Sequence, residues 1–223
     1  MHRAGLGSVL PLLALMSLPA AATPIITNGS FEQTTLSTKG RFLNAVTGWT
    51  GGARLTFLDT PGTASSGELP VYAGLPATSP DGGNFIEQDG DPSYNQAFSQ
   101  SVTELTVGTT YYLSFYQAAG QQQNYTGPTT ERWQVTFGSE TQLSPQYSLL
   151  QGGTGAWQSV TLRFLASAAT QTLSFLALGT PNGAPPVAFL DGVSITDIPE
   201  PASLTLLGAG LFGVIAARRR ARR

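Results

Sequence analysis

The amino-acid sequence predicts an all-β protein whose body is a single antiparallel β-sandwich. Three observations carry this. Apolar and polar residues alternate over short runs, no window of helical length holds a 3.6-residue apolar period, and each run is bounded by Gly, Pro, Asn or Asp. Period-two alternation is the signature of half-buried strands, and the bounding residues are those that tight turns require.

Taken in order, weak strands are expected over residues 24–28, 54–58, 84–88 and 97–102. A strong one follows over 109–119, where Tyr111, Leu113 and Phe115 point one way and Tyr112, Ser114 and Tyr116 the other. Residues 132–137 alternate through Trp133, Val135 and Phe137, and residues 157–164 through Val160, Leu162 and Phe164. Residues 170–178 place Leu173, Phe175 and Ala177 in step, and residues 189–196 close with Val193 and Ile195. About nine or ten short antiparallel strands make a sandwich, with no linker or repeat dividing it. The longest loops are expected at 62–81 and 121–130, where Gly, Pro, Ser and Gln cluster without periodicity.

Both ends differ from this body. Residues 1–22 run from His2 and Arg3 through an apolar stretch to Ala20, Ala21 and Ala22. That order is a signal-peptide helix, to be cut by signal peptidase after Ala22. Residues 198–223 hold Pro199, Glu200 and Pro201, an apolar run from Ala202 to Ala217, and then Arg218, Arg219, Arg220, Arg222 and Arg223. As a transmembrane helix, sixteen residues at about 1.5 Å each reach roughly 24 Å, short of a hydrocarbon core of about 30 Å. The arginines act as a stop-transfer signal that keeps the C-terminus in the cytoplasm. The span therefore holds a protein in a membrane only transiently.

The whole chain has a formal net charge of −2, but the arginine tail hides the charge of the body. Residues 23–197 contain five basic and twelve acidic residues, a net of −7, which offers no electrostatic footprint for nucleic acid. Cysteine is absent and His2 is the only histidine. The body thus cannot build a Ser-His-Asp or Cys-His triad, and lacks the usual zinc and copper ligands. Carboxylate chemistry, hard-metal binding by oxygen and binding without catalysis are what remain. Glycoside hydrolysis needs two carboxyls facing across a cleft, which no segment here signals, so no catalytic residue is assigned.

Two resemblances add to this. Asn28-Gly29-Ser30-Phe31-Glu32, Gly48-Trp49, Pro80-Asp81-Gly82-Gly83-Asn84-Phe85, the strand from Gly108 to Phe115, Trp157-Gln158-Ser159-Val160-Thr161 and Phe189-Leu190-Asp191-Gly192-Val193-Ser194-Ile195 occur in that order. Together they resemble the galactose-binding-domain-like jelly rolls, which include many carbohydrate-binding modules. The resemblance implies first and last strands side by side with a structural calcium between them, and Glu32 and Asp191 as its ligands. A second Asp is frequent in that family where this chain has Gly192. The tail resembles the PEP-CTERM sorting signal of Gram-negative bacteria. That likeness implies transient anchoring in the inner membrane, processing by an exosortase and delivery to the cell surface or the extracellular biofilm matrix.

Sugar rings stack on exposed aromatic side chains. Tyr112 and Tyr116 share one strand face, and Tyr94 and Tyr125 lie in loops, so these four are the candidate ligand-binding residues, while Trp49, Trp133 and Trp157 are expected in the core. Glu87-Gln88-Asp89-Gly90-Asp91 reads as an acidic surface turn after a strand. The expected function is an exported, non-catalytic protein that binds polysaccharide. The alternatives are a structural matrix protein without a ligand site and an ice- or surface-adhesion protein. A regular Thr array would favour adhesion, and no such repeat is visible in the sequence.

Overall fold

The computed structural model describes residues 26–197, which contain no helix. The two apolar ends, with Pro199, Glu200, Pro201 and the five arginines, lie outside the described residues. The strands are β1 (Gly40–Arg41), β2 (Thr50–Gly51), β3 (Thr56–Asp59), β4 (Phe85–Asp89), β5 (Phe98–Val102), β6 (Thr110–Gln121), β7 (Thr129–Phe137), β8 (Glu140–Leu143), β9 (Tyr147–Leu149), β10 (Thr154–Leu165), β11 (Gln171–Thr180) and β12 (Pro186–Asp197). Sheet one has the order β1-β3-β4-β12-β6-β10. Sheet two has the order β2-β5-β11-β7-β8, with β9 also pairing β7. All of these pairs are antiparallel. From β5 to β7 and from β10 to β12 the chain passes back and forth between the sheets, a jelly-roll-like sandwich.

Two corrections follow for the weaker elements. Ile26 to Asn28 form no strand: residues 27–30 are a turn, and the Thr27 N–H is satisfied by the Gln100 Oε1 at 2.9 Å instead of by a ladder. The Asn28 turn itself is present, with Asn28 at φ 51° and Phe31 at φ 57°, and Phe31 is fully buried as an apolar plug. The second correction concerns the supposed surface turn at Glu87 to Asp91. Glu87 and Asp89 belong to β4 and are buried, and Asp91 is nearly so.

A second apolar layer explains that burial. Between the sheets, Trp49, Phe98, Phe115, Trp133 and Phe175 form a ring cluster with centroids 5.4–6.1 Å apart. On the outer face of sheet one, the long β3–β4 connection folds Ala64, Leu69 and Val71 over Phe57, Phe85, Val187 and Phe189, with Trp157 against their flank. β4 and the first half of β12 are therefore covered on both faces, which is why Val187 to Leu190 reads as an unbroken apolar run. Trp157 is accordingly packed on this second layer and not in the central core.

Polar groups tie the sheets together where a secreted domain often uses disulfides. The Trp133 indole N–H donates to the Phe189 carbonyl at 2.9 Å, and the Ala177 N–H donates to Gln88 Oε1 at 2.6 Å. Each leaves no orphan on the donating side, so the penalty of an unpaired buried donor is avoided.

Candidate functional site

The site is set by an irregularity in β12. Its pairing with β6 shifts between Asp191 and Ser194, so Gly192 and Val193 together oppose one residue of the partner. The inward positions are Ala188, Leu190, Val193 and Ile195. The three-residue step from Leu190 to Val193, in a series otherwise stepping by two, is the sequence mark of this bulge. Its effect is to bring Asp191 and Ser194 to the outer face of sheet one around Gly192. Gly192 has φ +60°, and a Cβ there would meet the Tyr116 ring at 2.9 Å, so only glycine lets the ring lie against the strand.

Around the bulge, three segments distant in sequence converge. Asp191 is fully buried; its Oδ2 accepts a short hydrogen bond from the Ser79 hydroxyl and its Oδ1 accepts from the Gly192 N–H at 2.7 Å. Glu32, exposed on its outer side, accepts from the Asn84 N–H at 2.5 Å. The Glu32 carboxylate occupies the space where a Cβ on Gly83 would stand, and Gly83 has φ +59°, so another residue there would be strained and would displace Glu32. The Val193 N–H donates to the Gly29 carbonyl at 2.9 Å, so the N-terminal turn, though not a strand, runs beside the last strand.

The electrostatics of this corner are one-sided. Burial holds the Asp191 carboxyl up at about 8; the Ser79 hydroxyl and the Gly192 N–H oppose this, and the Asp81 and Glu32 carboxylates add to it. Three carboxylates thus act on one another with no cationic side chain among the groups that shift Asp191. Glu32 and Asp191, the two residues expected as calcium ligands, are near enough to affect one another, and Asp81 joins them. Among the described residues, no group of three or more His, Cys, Asp and Glu is arranged as a metal site.

Beside this corner lies a depression of about 340 Å³ on the open half of the sheet-one face. Tyr116, Ser114, Ser159, Ser194 and Asp81 are among the residues that line it. Tyr112 is on the same outward face, one alternation beyond Ser114 and beside Arg163 and Thr196 in the register. Tyr94 and Tyr125 are exposed but stand elsewhere, in the β4–β5 and β6–β7 connections; the Tyr125 carbonyl accepts from the Tyr72 hydroxyl. The structure therefore does not gather the four tyrosines into one platform. Asp81, Ser79 and the three serines escaped sequence reasoning, because serine carries no signal until register places it.

The chain matches no curated protein. Among solved structures, it is similar to TmCBM61 in complex with beta-1,4-galactotriose, with 14% identity over 78% of this chain and 97% of that one and a TM-score of 0.45. It is also similar to the K3 cleaved adhesin domain of Lys-gingipain from Porphyromonas gingivalis w83, with 15% identity over 78% and 98% and a TM-score of 0.44. A Family 16 Carbohydrate Binding Module-2 gives 13% identity over 77% and 98%, with a TM-score of 0.37. At the other end of the chain, residues 197–220 match the PEP-CTERM protein-sorting motif, which marks an exported protein sorted by way of the membrane.

Proposed function

We propose that the sandwich is a non-catalytic polysaccharide-binding module, carried to the cell surface or extracellular matrix by exosortase processing of the tail. The observation that carries the reading is the Tyr116 depression. A tyrosine lining one depression with serines and a carboxylate supplies the residue types for both the apolar and the hydrogen-bonding halves of sugar recognition. Asp81 is the one carboxylate among the lining residues, whereas hydrolysis of a glycosidic bond takes two across the bond. On an array of immobilised polysaccharides, the purified protein is expected to be retained by a subset of neutral glycans. Tyr116→Ala should weaken that retention roughly tenfold, the loss of about 1.4 kcal/mol of stacking, while far-ultraviolet circular dichroism shows the sandwich still folded. Retention that survives Tyr116→Ala, or none on any glycan, overturns the assignment.

The same reading gives Glu32 and Asp191 the role of holding a structural calcium. When bound, the cation would offset the clustered carboxylates and pin the N-terminal turn to β12. The expected result is a stability that rises with free calcium, by about 2.7 kcal/mol at a hundredfold excess over the dissociation constant. Glu32→Ala or Asp191→Ala should each remove the rise. A melting temperature indifferent to calcium in the unmodified protein would sink this part of the reading.

Adhesion to an ordered surface is favoured by one observation of its own. On the outer face of sheet two, Thr50, Ser99, Ser174, Thr136 and Thr141 stand opposite one another in register across five strands. This row of hydroxyls at the interstrand spacing of about 4.8 Å is invisible in the sequence because each member comes from a different strand. Ser174→Tyr in the middle of the row separates the readings, since it interrupts the row and leaves the Tyr116 face untouched.

A further inference from the structure

The chain has a single lysine, Lys39, and the fold buries it. Its Nζ lies 2.5 Å from Glu87 Oε2 and 3.1 Å from Asp59 Oδ1, with the lysine side chain 6% exposed and both carboxylates fully enclosed. The placement is dictated by register. Gly40 pairs with Leu58, so the next rung sets Lys39 opposite Asp59, and Phe57 pairs with Glu87 on the adjoining strand. All three side chains then meet under the β3–β4 connection, beside the Phe57 ring 5.6 Å from Nζ.

Close as they are, these groups are not held by ordinary hydrogen bonds. Lys39 Nζ, Asp59 Oδ2 and both oxygens of Glu87 lack a partner with hydrogen-bond geometry, and Asp59 Oδ1 accepts only from the Thr63 hydroxyl at 3.2 Å. Two carboxylates and one ammonium would leave an uncompensated negative charge in an apolar enclosure. Burial pushes the Glu87 carboxyl well above its ordinary range, the Asp59 carboxylate adds to this and Lys39 opposes it. Burial raises the Asp59 carboxyl as well, with Lys39 opposing, so the enclosure favours an extra proton on the carboxyl pair, the greater rise being that of Glu87.

We propose that Lys39 and Asp59 are joined by an isopeptide bond that forms within the folded protein, with Glu87 as the proton shuttle. The step balances without an added reagent. A proton passes from the Lys39 ammonium to the Asp59 carboxylate, giving amine and acid. The amine nitrogen attacks the Asp59 carboxyl carbon and the C–N bond forms. Glu87 takes a proton from that nitrogen and gives one to the departing hydroxyl oxygen, the C–O bond breaks, and one water leaves. Glu87 ends as it began, and two buried charges have become a neutral amide. The apolar surroundings favour the direction that expels water and removes the charges. The product ties the residue before the two-residue edge strand β1 to the end of β3, in a protein without cysteine.

The test exploits the lone lysine. The full-length protein, unfolded in denaturant, is exposed to an endoprotease that cuts only after lysine. The expected result is no cleavage and an intact mass one water below that of the linear chain. Trypsin should release a branched peptide joining the segment that ends at Arg41 to the segment 55–132, with fragmentation placing the link on Asp59. Glu87→Gln should give a chain of full mass that is cut after Lys39, whether or not it folds. Cleavage of the wild-type chain after Lys39, with the full mass, overturns the proposal, and so does a link fixed to Glu87. The wild-type measurement decides alone and is independent of glycan or calcium binding.

Discussion

Phe175→Ala is expected to lower the unfolding free energy by about 3–5 kcal/mol, the cost of removing a fully buried aromatic side chain. Phe175 lies at the centre of the intersheet cluster, with ring centroids 5.4 Å from Phe115, 5.8 Å from Phe98 and 6.1 Å from Trp49 and Trp133. Its neighbours come from β5, β6, β7 and the segment before β2, so no single element can move to fill the void. Domains of ordinary stability hold about 5–15 kcal/mol, and the substitution removes a large part of that. Urea unfolding followed by tryptophan fluorescence measures it, since Trp49 and Trp133 flank the cavity. Leu150→Ala, at an exposed position, should stay within about 0.5 kcal/mol of the parent. A Phe175→Ala midpoint equal to that of Leu150→Ala would mean that the two sheets do not share this core.

The second large effect depends on pH. Glu131 points into the sandwich from β7, is 1% exposed, and neither of its carboxylate oxygens has a partner. Burial raises its carboxyl from 4.5 to about 8, with only the Thr129 hydroxyl opposing. The folded protein therefore holds a proton that the unfolded chain gives up. The stabilising share of the protonated group is complete below about pH 4.5 and is lost as pH rises through 8. Stability falls over that window at up to about 1.4 kcal/mol per pH unit for one such group. Glu131→Gln keeps the shape and cannot ionise, so it should gain several kcal/mol over the parent at pH 8 and differ little at pH 4. Part of the slope will remain, because burial also raises Asp89 to about 7 and Asp191 to about 8. Urea midpoints at the two pH values check it. Equal pH slopes for the parent and Glu131→Gln would show that the carboxyl finds water or a partner in solution.

The long strands were legible because each buries one face. Residues 109–119, 157–164 and 170–178 alternate cleanly; β6 and β11 start one residue later and run two further, and β10 extends three residues before and one after. The short strands β1, β2, β8 and β9 were not legible, since two to four residues cannot display a period. The error at Glu87 to Asp91 has a different cause. Charge predicts exposure only when nothing covers the strand, and the cover here is a connection of irregular composition whose docking no local pattern announces. Of the residues at this corner, Glu32 and Asp191 were singled out through the family resemblance and Tyr116 through the alternation of its strand. Asp81 and the serine hydroxyls became visible only once pairing between β6, β10 and β12 was known.

β12 ends at Asp197, which is also the first residue of the sorting motif, so the sandwich passes into its tail without a spacer. This strand lies inside sheet one, bonded to β4 along one edge and to β6 along the other. Tension applied along the strand from Asp197 is consequently taken first by the β6 ladder over Ser194 to Asp197, and by both ladders only at Val187 to Leu190, where the β4 bonds lie. A tail leaving from an edge strand would instead be peeled away one bond at a time. The chain therefore enters its tail from a strand in the interior of the sheet, where a pull along the axis is resisted by shear and not by peeling.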